Sequence, residues 1–303
     1  MSRIDEALRR AATAGEAPEA PVMSPRVDWA HPVDVSFLDR YPLEPTPRQK
    51  APLSGEPSIA VEPRANQPAP IDRLQSSAHE RLVVSTRMPR VSVEQYRRLA
   101  ASLHELQQQR GLKTLMVSSA VPREGKTLTI TNLALTLSES FQQQVLLIDA
   151  DLRRPSIHDV LGIPNRRGLG DVILSGADAL PLVEISQNLS VLTAGHLDGD
   201  PMARLSSDRA SALVRKAAEQ FDWVLLDAPP VALLPDTQLI ARLSEAILFV
   251  VAAGSTPYHL VQHAIEELGA ERIVGTVLNR VDESSLALDG YYQGYDRAED
   301  ARE

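Results

Sequence analysis

Residues 119–127, Ser-Ala-Val-Pro-Arg-Glu-Gly-Lys-Thr, have the residue types of a phosphate-binding loop. They follow an apolar stretch and precede a predicted helix, which is the strand–loop–helix context that such a loop requires. In that context, backbone N–H groups and the helix N-terminus surround anionic oxygens. We therefore expect Lys126 to reach the β- and γ-phosphates of a nucleotide and Thr127 to ligate Mg²⁺. Ala120 replaces the usual first glycine, so the match to the pattern is imperfect.

Three acidic residues follow apolar stretches that read as buried strands. Asp149 and Asp151 come directly after 145–148, and Asp227 comes directly after 223–226. An acid after a strand, downstream of a phosphate loop, is the Walker B arrangement, in which Asp227 would hold Mg²⁺ directly or through water. Asp149 and Asp151 predict metal ligation and proton abstraction beside the phosphates. The alternative is a pair of ordinary turn acids at a solvated strand end.

Tyrosines are concentrated near the C-terminus. Three of the six, Tyr291, Tyr292 and Tyr295, fall close together in a polar, glycine-spaced stretch. Residues 281–303 carry seven acids against two arginines, a net −5 of the formal −9 of the whole chain. This favours a flexible substrate segment for a kinase site over an incidental aromatic tail.

Composition excludes several classes of protein. The 303 residues include no cysteine, so there is no disulfide framework, thiol nucleophile or cysteine metal site. The negative charge argues against a nucleic-acid binder. Residues 1–10 lack an apolar signal core, and the longest apolar run, 246–253, is far short of the roughly 20 residues of a membrane helix. We expect neither a secreted nor a membrane-spanning chain.

Proline placement predicts the domain organisation. Twelve of the 22 prolines lie in the first 80 residues, a density that breaks helix and strand periodicity. We predict a short amphipathic helix at 1–12, either a fraying terminus or a docking peptide, and a disordered linker at 13–80. A single domain at 81–285 and a flexible acidic tail at 286–303 complete the prediction.

Between residues 90 and 280, short apolar strands alternate with helices, which predicts an α/β fold with a mostly parallel sheet covered on both faces. The predicted strands are 115–118, 145–148, 189–192, 223–226, 247–251 and 273–278. The predicted helices are 93–109, 127–140, 203–220, 236–243 and 257–268, with Asp236 as the expected cap of its helix. The candidate site residues fall at the carboxyl ends of strands, where ligands bind in such sheets.

The ordered set of motifs resembles the bacterial tyrosine kinases (BY-kinases) of capsule and exopolysaccharide systems. It comprises S-x-x-P-x-E-G-K-T at 119–127, D-x-D-x-R at 149–153, D-x-P-P at 227–230 and the tyrosine cluster. The resemblance covers roughly 90–296 and is nearest to the cytoplasmic autokinases associated with exosortase-type loci. It implies a P-loop NTPase-type fold and an ATP- and Mg²⁺-dependent autokinase that regulates exopolysaccharide polymerisation and export.

The resemblance also implies a role for each matching residue. It makes Asp149 the candidate base towards the tyrosine hydroxyl, and it puts Arg153 near the phosphates. The implied catalytic residues are Lys126, Asp149, Asp151 and Arg153. The implied nucleotide contacts are Glu124, Gly125, Lys126, Thr127, Leu128, Asp227 and Asn279, the last at the adenine. The implied metal ligands are Thr127, Asp151 and Asp227, and the implied phosphorylation sites, modified in trans, are Tyr291, Tyr292 and Tyr295.

Two positions depart from the family pattern. Glu94 and Arg97 match the first two positions of its E-x-x-R-x-x-R ring-forming motif, but Ala100 occupies the third. The departure bears on the size and geometry of any oligomer. Arg123 stands where many relatives have glycine, which predicts a tighter loop or an extra cation near the phosphates.

The partners that the resemblance implies are a transmembrane chain-length regulator or activator, further copies of this chain and a tyrosine phosphatase, without nucleic acid. The implied location is the cytoplasm, with recruitment to the inner face of the plasma membrane. Two alternatives stay open at this point. One is a MinD/ParA-like P-loop ATPase, although Val121 occupies the position of the second lysine of that class. The other is a nucleotide-binding regulator without kinase activity.

Overall fold

The computed structural model describes residues 60–61, 78–176, 179–196, 199–233 and 235–281. The predicted N-terminal helix, most of the predicted linker and the tyrosine-bearing tail lie outside these residues. The strands are β1 (Ala60–Val61), β2 (Thr114–Ser119), β3 (Val145–Asp149), β4 (Ala179–Leu180), β5 (Val183–Glu184), β6 (Leu189–Leu192), β7 (Trp223–Asp227), β8 (Ala246–Ala252) and β9 (Ile273–Asn279). The helices are α1 (Arg90–Arg110), α2 (Lys126–Ser140), α3 (Ile157–Leu161), α4 (Leu169–Ser175), α5 (Pro201–Leu205), α6 (Asp208–Gln220), α7 (Asp236–Leu243) and α8 (Tyr258–Leu268).

Seven strands form one sheet in the order β5-β6-β3-β7-β2-β8-β9, and every neighbouring pair is parallel except β5 with β6. Strands β2, β3, β7 and β8 are buried along their whole length. Burial on both faces explains why these strands read as continuous apolar runs in the sequence. The predicted α/β class with a mostly parallel sheet is confirmed.

Helices cover both faces of the sheet and give it two cores. Alternate residues of β2 show the division, since Met116 packs in one core while Leu115 and Val117 pack in the other. Helices α1 and α2 contribute to the second core, and α6, α7 and α8 contribute to the first. This three-layer arrangement fixes the strand ends, and with them the loops that carry the candidate site.

One predicted helix, 203–220, is wrong in its extent. The structure divides it into α5 and α6, because the Ser207 side chain accepts a hydrogen bond from the Ala210 N–H and caps a new helix. A serine followed by an acid is a helix-start signal that the apolar periodicity obscured. The other helices and strands predicted between residues 90 and 280 are present, with ends that differ by up to three residues.

The prediction omitted the short elements. Strands β4 and β5 and helices α3 and α4 are two to seven residues long, too short for a hydrophobic period to emerge. Strand β1 pairs in parallel with β4 and lies inside the segment predicted as a linker. Within the described part of the chain, none of the helices combines the length and hydrophobicity that a bilayer crossing needs.

Candidate functional site

The loop between β2 and α2 is held in shape by the side chain of Glu124, which is 1% exposed. One carboxylate oxygen, Oε2, accepts the Val121 N–H at 2.7 Å within the same loop. The other, Oε1, accepts the Ala252 N–H at 3.0 Å and the Thr256 hydroxyl. The predicted nucleotide contact at Glu124 can therefore involve only its backbone, since its carboxylate fastens the loop to the end of β8.

Gly125 lies against Asn279 at the end of β9. Its φ is +94°, and a Cβ at this position would stand 2.0 Å from Asn279 Nδ2. That amide nitrogen donates to the Glu124 carbonyl oxygen at 2.8 Å. Asn279 thus reaches the phosphate loop, while its predicted contact with adenine stays a prediction. Glycine is needed at 125 because of both the left-handed backbone and the close approach of Asn279.

Gly125→Ala is expected to lower the free energy of unfolding by about 2–3 kcal/mol, from backbone strain and loss of the Asn279 hydrogen bond. Urea denaturation measures this change. Gly111→Ala is the matched control, because Gly111 has φ +69° but a Cβ there would meet nothing within 4 Å. We expect the control to lose only the backbone part, about 1 kcal/mol. Equal losses in the two variants would contradict the role given to Asn279.

Lys126 begins α2 and points its ammonium group at the carboxylate of Asp151, with Nζ and Oδ2 3.5 Å apart. The second oxygen of Asp151 accepts the Arg154 N–H at 3.0 Å, which fixes the orientation of the carboxylate. Burial lowers the pKa of Lys126, but the charges of three carboxylates, led by Asp227, outweigh it and raise the pKa overall. Lys126 is therefore a permanent cation at the loop.

A chain of hydrogen bonds joins the ends of β3 and β7 to the start of α2. The Thr127 hydroxyl donates to Asp227 Oδ2 at 2.7 Å, and the Ser156 hydroxyl donates to Thr127 Oγ1 at 3.0 Å. Asp149 Oδ2 accepts the N–H groups of Ser156 and Ile157 at 2.9 and 3.0 Å. Ser156 was not predicted as a site residue, although its position before a helix after D-x-D-x-R is a visible signal.

Two buried carboxylate oxygens at this edge have no hydrogen-bond partner among the residues that the structure describes: Oδ1 of Asp149 and Oδ1 of Asp227. The two residues are register neighbours on adjacent strands. Unpaired buried oxygens are costly, and oxygen is the donor that Mg²⁺ prefers. In the described ranges no three acidic or histidine side chains are grouped closely enough to hold a metal by themselves. The site thus fits a Mg²⁺ that takes one or two carboxylates and completes its coordination with phosphates.

Burial raises the pKa of Asp149 to about 8, helped by the charge of Asp227 and opposed by the two N–H groups that Asp149 accepts. Burial also raises the pKa of Asp227 to about 6, while Lys126 and the Thr127 hydroxyl oppose the rise. Burial therefore disfavours the ionised forms of both carboxyl groups when no added cation is present. A divalent cation beside them would favour their ionised forms.

Arg153 forms a two-pronged ion pair with Asp236 at the start of α7, and its Nη2 lies 3.2 Å from Asp236 Oδ1. Asp236 is 2% exposed and is the first residue of α7, whereas Pro235 occupies the cap position before it. The prediction that Asp236 caps α7 is therefore wrong, because its carboxylate neutralises a guanidinium instead. The place of Arg153 near the phosphates stays a prediction, and the guanidinium is 36% exposed beside this edge.

The two residues that match the ring motif pair with each other. Glu94 and Arg97 form an exposed ion pair one helical turn apart on α1. Ala100, at the third position, is fully buried in the core beneath α1. An arginine at position 100 would have to enter that core. The way α1 packs in this chain therefore explains why alanine, and not arginine, occupies the third position of the motif. The predicted role of Glu94 and Arg97 in oligomerisation is still a prediction.

The chain is similar to the tyrosine-protein kinase YwqD of Bacillus subtilis (strain 168). The two are 31% identical over 221 residues, which make up 71% of this chain and 93% of YwqD. The chain belongs to the bacterial tyrosine-protein kinases. The family predicted from the motifs is therefore confirmed, and membership does not favour the MinD/ParA-like alternative. The search of protein-family models gave no match.

Two further comparisons agree with membership of the bacterial tyrosine-protein kinases. The kinase domain of the Escherichia coli tyrosine kinase ETK superposes with a TM-score of 0.59 at 31% identity, over 63% of this chain and 76% of that domain. The succinoglycan biosynthesis transport protein ExoP of Rhizobium meliloti (strain 1021) is 32% identical over 197 residues, 63% of this chain. This chain spans only 25% of ExoP, so the match concerns one part of a much longer protein.

Proposed function

We propose that this kinase transfers the γ-phosphoryl group of ATP to tyrosines of its own acidic tail, with Mg²⁺ as cofactor. The observation that carries the proposal is the convergence of Lys126, Thr127, Asp149 and Asp227 around one loop. Lys126 is held as a cation, Thr127 contacts Asp227, and two carboxylate oxygens are left without protein partners. Phosphoryl transfer depends mainly on such positioning and charge neutralisation.

Different residues would bind the phosphates and the metal ion during the transfer. Backbone N–H groups of residues 124–127 and the Lys126 ammonium bind the phosphates, and Leu128 continues the first turn of α2. Thr127, Asp227 and Asp151 would hold Mg²⁺, which neutralises phosphate charge when bound. A bond forms between the tyrosine oxygen and the γ-phosphorus while the bond from that phosphorus to the β–γ bridging oxygen breaks, and ADP leaves.

The tyrosine proton goes to Asp149. A tyrosine hydroxyl has a pKa near 10, so a positioned carboxylate helps to accept its proton during transfer. Asp149 Oδ2 is occupied by two backbone N–H groups, which fixes the side chain. Its Oδ1 has no partner among the described residues and is the atom that we assign to the proton.

The acceptors in this proposal are Tyr291, Tyr292 and Tyr295, phosphorylated in trans by another copy. Phosphorylation of all three adds roughly −5 to −6 of charge to a tail that already carries −5. Self-repulsion then weakens docking between copies, and a tyrosine phosphatase restores it. Because the relative ExoP is named for succinoglycan biosynthesis and transport, we assign this chain to exopolysaccharide polymerisation and export. A transmembrane chain-length regulator would recruit it from the cytoplasm to the inner face of the plasma membrane.

Incubation of the purified full chain with γ-labelled ATP and Mg²⁺ tests the reaction. We expect label on tyrosine, none with Lys126→Met, and none in the tail with Tyr291, Tyr292 and Tyr295 all changed to Phe. Lys216→Met is the matched control, because Lys216 lies on α6, away from the site. A cytoplasmic segment of the membrane partner is added in a parallel arm. Release of free phosphate without labelled protein in both arms would favour the ATPase alternative instead.

The proposed dissociation has its own test. Light scattering should show a smaller assembly after ATP is added to the unsubstituted chain, because the tail becomes more negative. The chain with all three tail tyrosines changed to Phe should keep its original size under the same conditions. If both proteins respond to ATP in the same way, tail phosphorylation does not control assembly.

A further inference from the structure

Exposed arginines stand on both sides of the phosphate loop. Arg123 lies in the loop after β2, and Arg280 follows β9. Arg280 Nη2 donates to the Arg123 carbonyl oxygen at 2.7 Å, so these two are neighbours. Arg154 follows β3, and its backbone N–H donates to the carboxylate of Asp151, the same carboxylate that Lys126 approaches. Arg123, Arg154 and Arg280 are all exposed, and together they form what we call the arginine rim.

The arginine rim includes two residues in an unusual backbone conformation. Arg123 has φ +68° and Arg280 has φ +59°, in the left-handed region that favours glycine. A strained residue at a functional edge is a reason to ask what its side chain does. Glycine at 123 would relieve the strain but remove a cation from the mouth of the site. Because the backbone at 123 and 280 favours glycine, the side-chain charge is the property that arginine contributes at these two positions.

The acids close to the loop do not cancel this positive charge at the surface. Asp149, Asp151 and Asp227 are each less than 5% exposed. Asp200 is exposed, but it lies towards Arg153, where Asp236 and then Asp200 raise the pKa of the guanidinium. Arg153 is therefore already neutralised by carboxylates and is left out of the rim. Asp159 on α3 is a further exposed acid, and its Oδ1 lies 3.4 Å from His158 Nε2. The three arginines outnumber it, so the exposed charge at this edge of the sheet is positive on balance.

The spacing of the rim matches the spacing of acids in the tail. Strands β3 and β9 are four steps apart in the sheet, which is about 19 Å at about 4.8 Å per step. Asp289 and Asp296 flank the three tail tyrosines and are seven residues apart. An extended segment of that length spans about 23 Å. A segment of that length is therefore long enough to place one acid at the end of β3, which Arg154 follows, and the other at the end of β9, where Arg280 contacts Arg123.

We propose that the arginine rim is the docking surface for an acidic, tyrosine-bearing peptide segment, and that its occupant is the tail of a second copy of this chain. The rim would select tyrosines that have acids on both sides and would hold them over Lys126 and Asp149. This inference rests on the proposed kinase function, because it names the substrate class of the same site. Charge pairing at an exposed surface also makes the docking sensitive to salt.

Steady-state kinetics with separate enzyme and acceptor tests the rim. The acceptor is the full chain with Lys126→Met, which keeps its tail. The enzyme is the full chain with all three tail tyrosines changed to Phe, so that it cannot label them. In the enzyme, Arg123→Gly with Arg154→Ala should raise the KM for the acceptor about 3- to 10-fold, as expected for two exposed charge pairs. Raising the salt from about 0.05 to 0.3 M should increase this KM more for the intact rim than for the variant.

Changes in the acceptor test the same contacts from the other side. Asp289→Asn with Asp296→Asn in the acceptor should raise its KM with the intact rim and have little further effect with the rim variant. Arg215→Ala in the enzyme is the matched control, because Arg215 is an exposed arginine on α6. The KM for ATP is measured in parallel. Several outcomes would overturn the inference: an unchanged acceptor KM, an equal rise with Arg215→Ala, or a rise in the KM for ATP alone.

Failure of the proposed function looks different in this experiment. If the enzyme with an intact rim places no label on the acceptor tail even when the partner segment is present, the tail is not the substrate. In that case both the proposed function and the docking proposal are refuted. If label appears on the tail but the KM for the acceptor is the same for the intact rim and the rim variant, only the docking proposal is refuted.

Discussion

Asp149→Asn is expected to make the metal-free protein more stable at pH 8 and to reduce tyrosine phosphorylation by about 10²- to 10⁴-fold. The expected loss of activity follows from removing the group that we propose as the acceptor of the tyrosine proton. The gain in stability follows from the environment of Asp149, which is fully buried and has one oxygen without a partner. An asparagine oxygen can still accept the N–H groups of Ser156 and Ile157. We expect its amide to donate to Oδ1 of Asp227, the register neighbour on β7, which has no partner among the described residues.

The stability effect depends on pH in a defined direction. Burial raises the pKa of Asp149 to about 8, above its value in the unfolded chain. A group of this kind contributes stability that is fully present below the unfolded pKa, near 4, and is lost as the pH rises through the folded pKa. Asparagine does not titrate, so the variant escapes this loss. The difference in melting temperature between variant and unsubstituted protein should therefore grow from pH 5 to pH 8.

Thermal unfolding in a chelating buffer at the two pH values measures the difference. Asp159→Asn is the control, because the Asp159 side chain is 78% exposed on α3 near the same site. We expect the control to show no growth of the difference with pH. Addition of Mg²⁺ and nucleotide should stabilise the unsubstituted protein more than Asp149→Asn. A melting difference that is the same at pH 5 and pH 8 would falsify the assignment of strain to the Asp149 carboxylate.

Glu124→Ala is expected to lower the free energy of unfolding by about 3–5 kcal/mol and to weaken ATP binding by at least about tenfold. The substitution removes the acceptor of three donors, namely the N–H groups of Val121 and Ala252 and the hydroxyl of Thr256. A buried donor without a partner costs about 1–3 kcal/mol. Without the carboxylate, the phosphate loop also loses its attachment to the end of β8. The ATP binding site then has to be ordered at the expense of binding energy.

Urea denaturation and calorimetric titration with ATP measure the two effects. Glu124→Gln is the graded control, because it keeps one oxygen but turns an NH₂ group towards a donor. We expect it to lose about 1–3 kcal/mol. Glu139→Ala, on the exposed end of α2, serves as the neutral control. If Glu124→Ala binds ATP as tightly as the unsubstituted chain, the carboxylate does not support the loop.

The sequence predicted the elements and the acids at their ends because these depend on local patterns. A buried strand followed by an acid is visible in five consecutive residues, as at Asp149 and Asp227. The partners of those residues were not visible, because they come from distant parts of the chain. Glu124 contacts Ala252 and Thr256, 128 and 132 positions away, and Arg153 contacts Asp236, 83 positions away. Only the register of β8 and the position of α7 bring these groups together.

For the two departures from the family pattern as well, the sequence shows which residue is present and the structure shows its environment. The sequence shows Ala100 where an arginine is usual, but only the packing of α1 shows that this position is buried. Likewise Arg123 was visible as a replacement for glycine, and the structure adds its positive φ and its contact with Arg280. Residue identity was predictable, whereas backbone conformation and burial needed the fold.

The end of β9 serves two parts of the molecule at once. Asn279 and Arg280 donate hydrogen bonds to the carbonyl oxygens of Glu124 and Arg123 in the phosphate loop. In the sequence, Arg280 precedes Tyr291, the first tyrosine of the cluster, by only eleven residues. In the proposed mechanism, nucleotide binding at the loop and capture of the tail by a neighbour would therefore act on one shared element. Any free energy that couples them must be reciprocal: tail capture changes the affinity for ATP by the same factor as ATP changes the affinity for the tail.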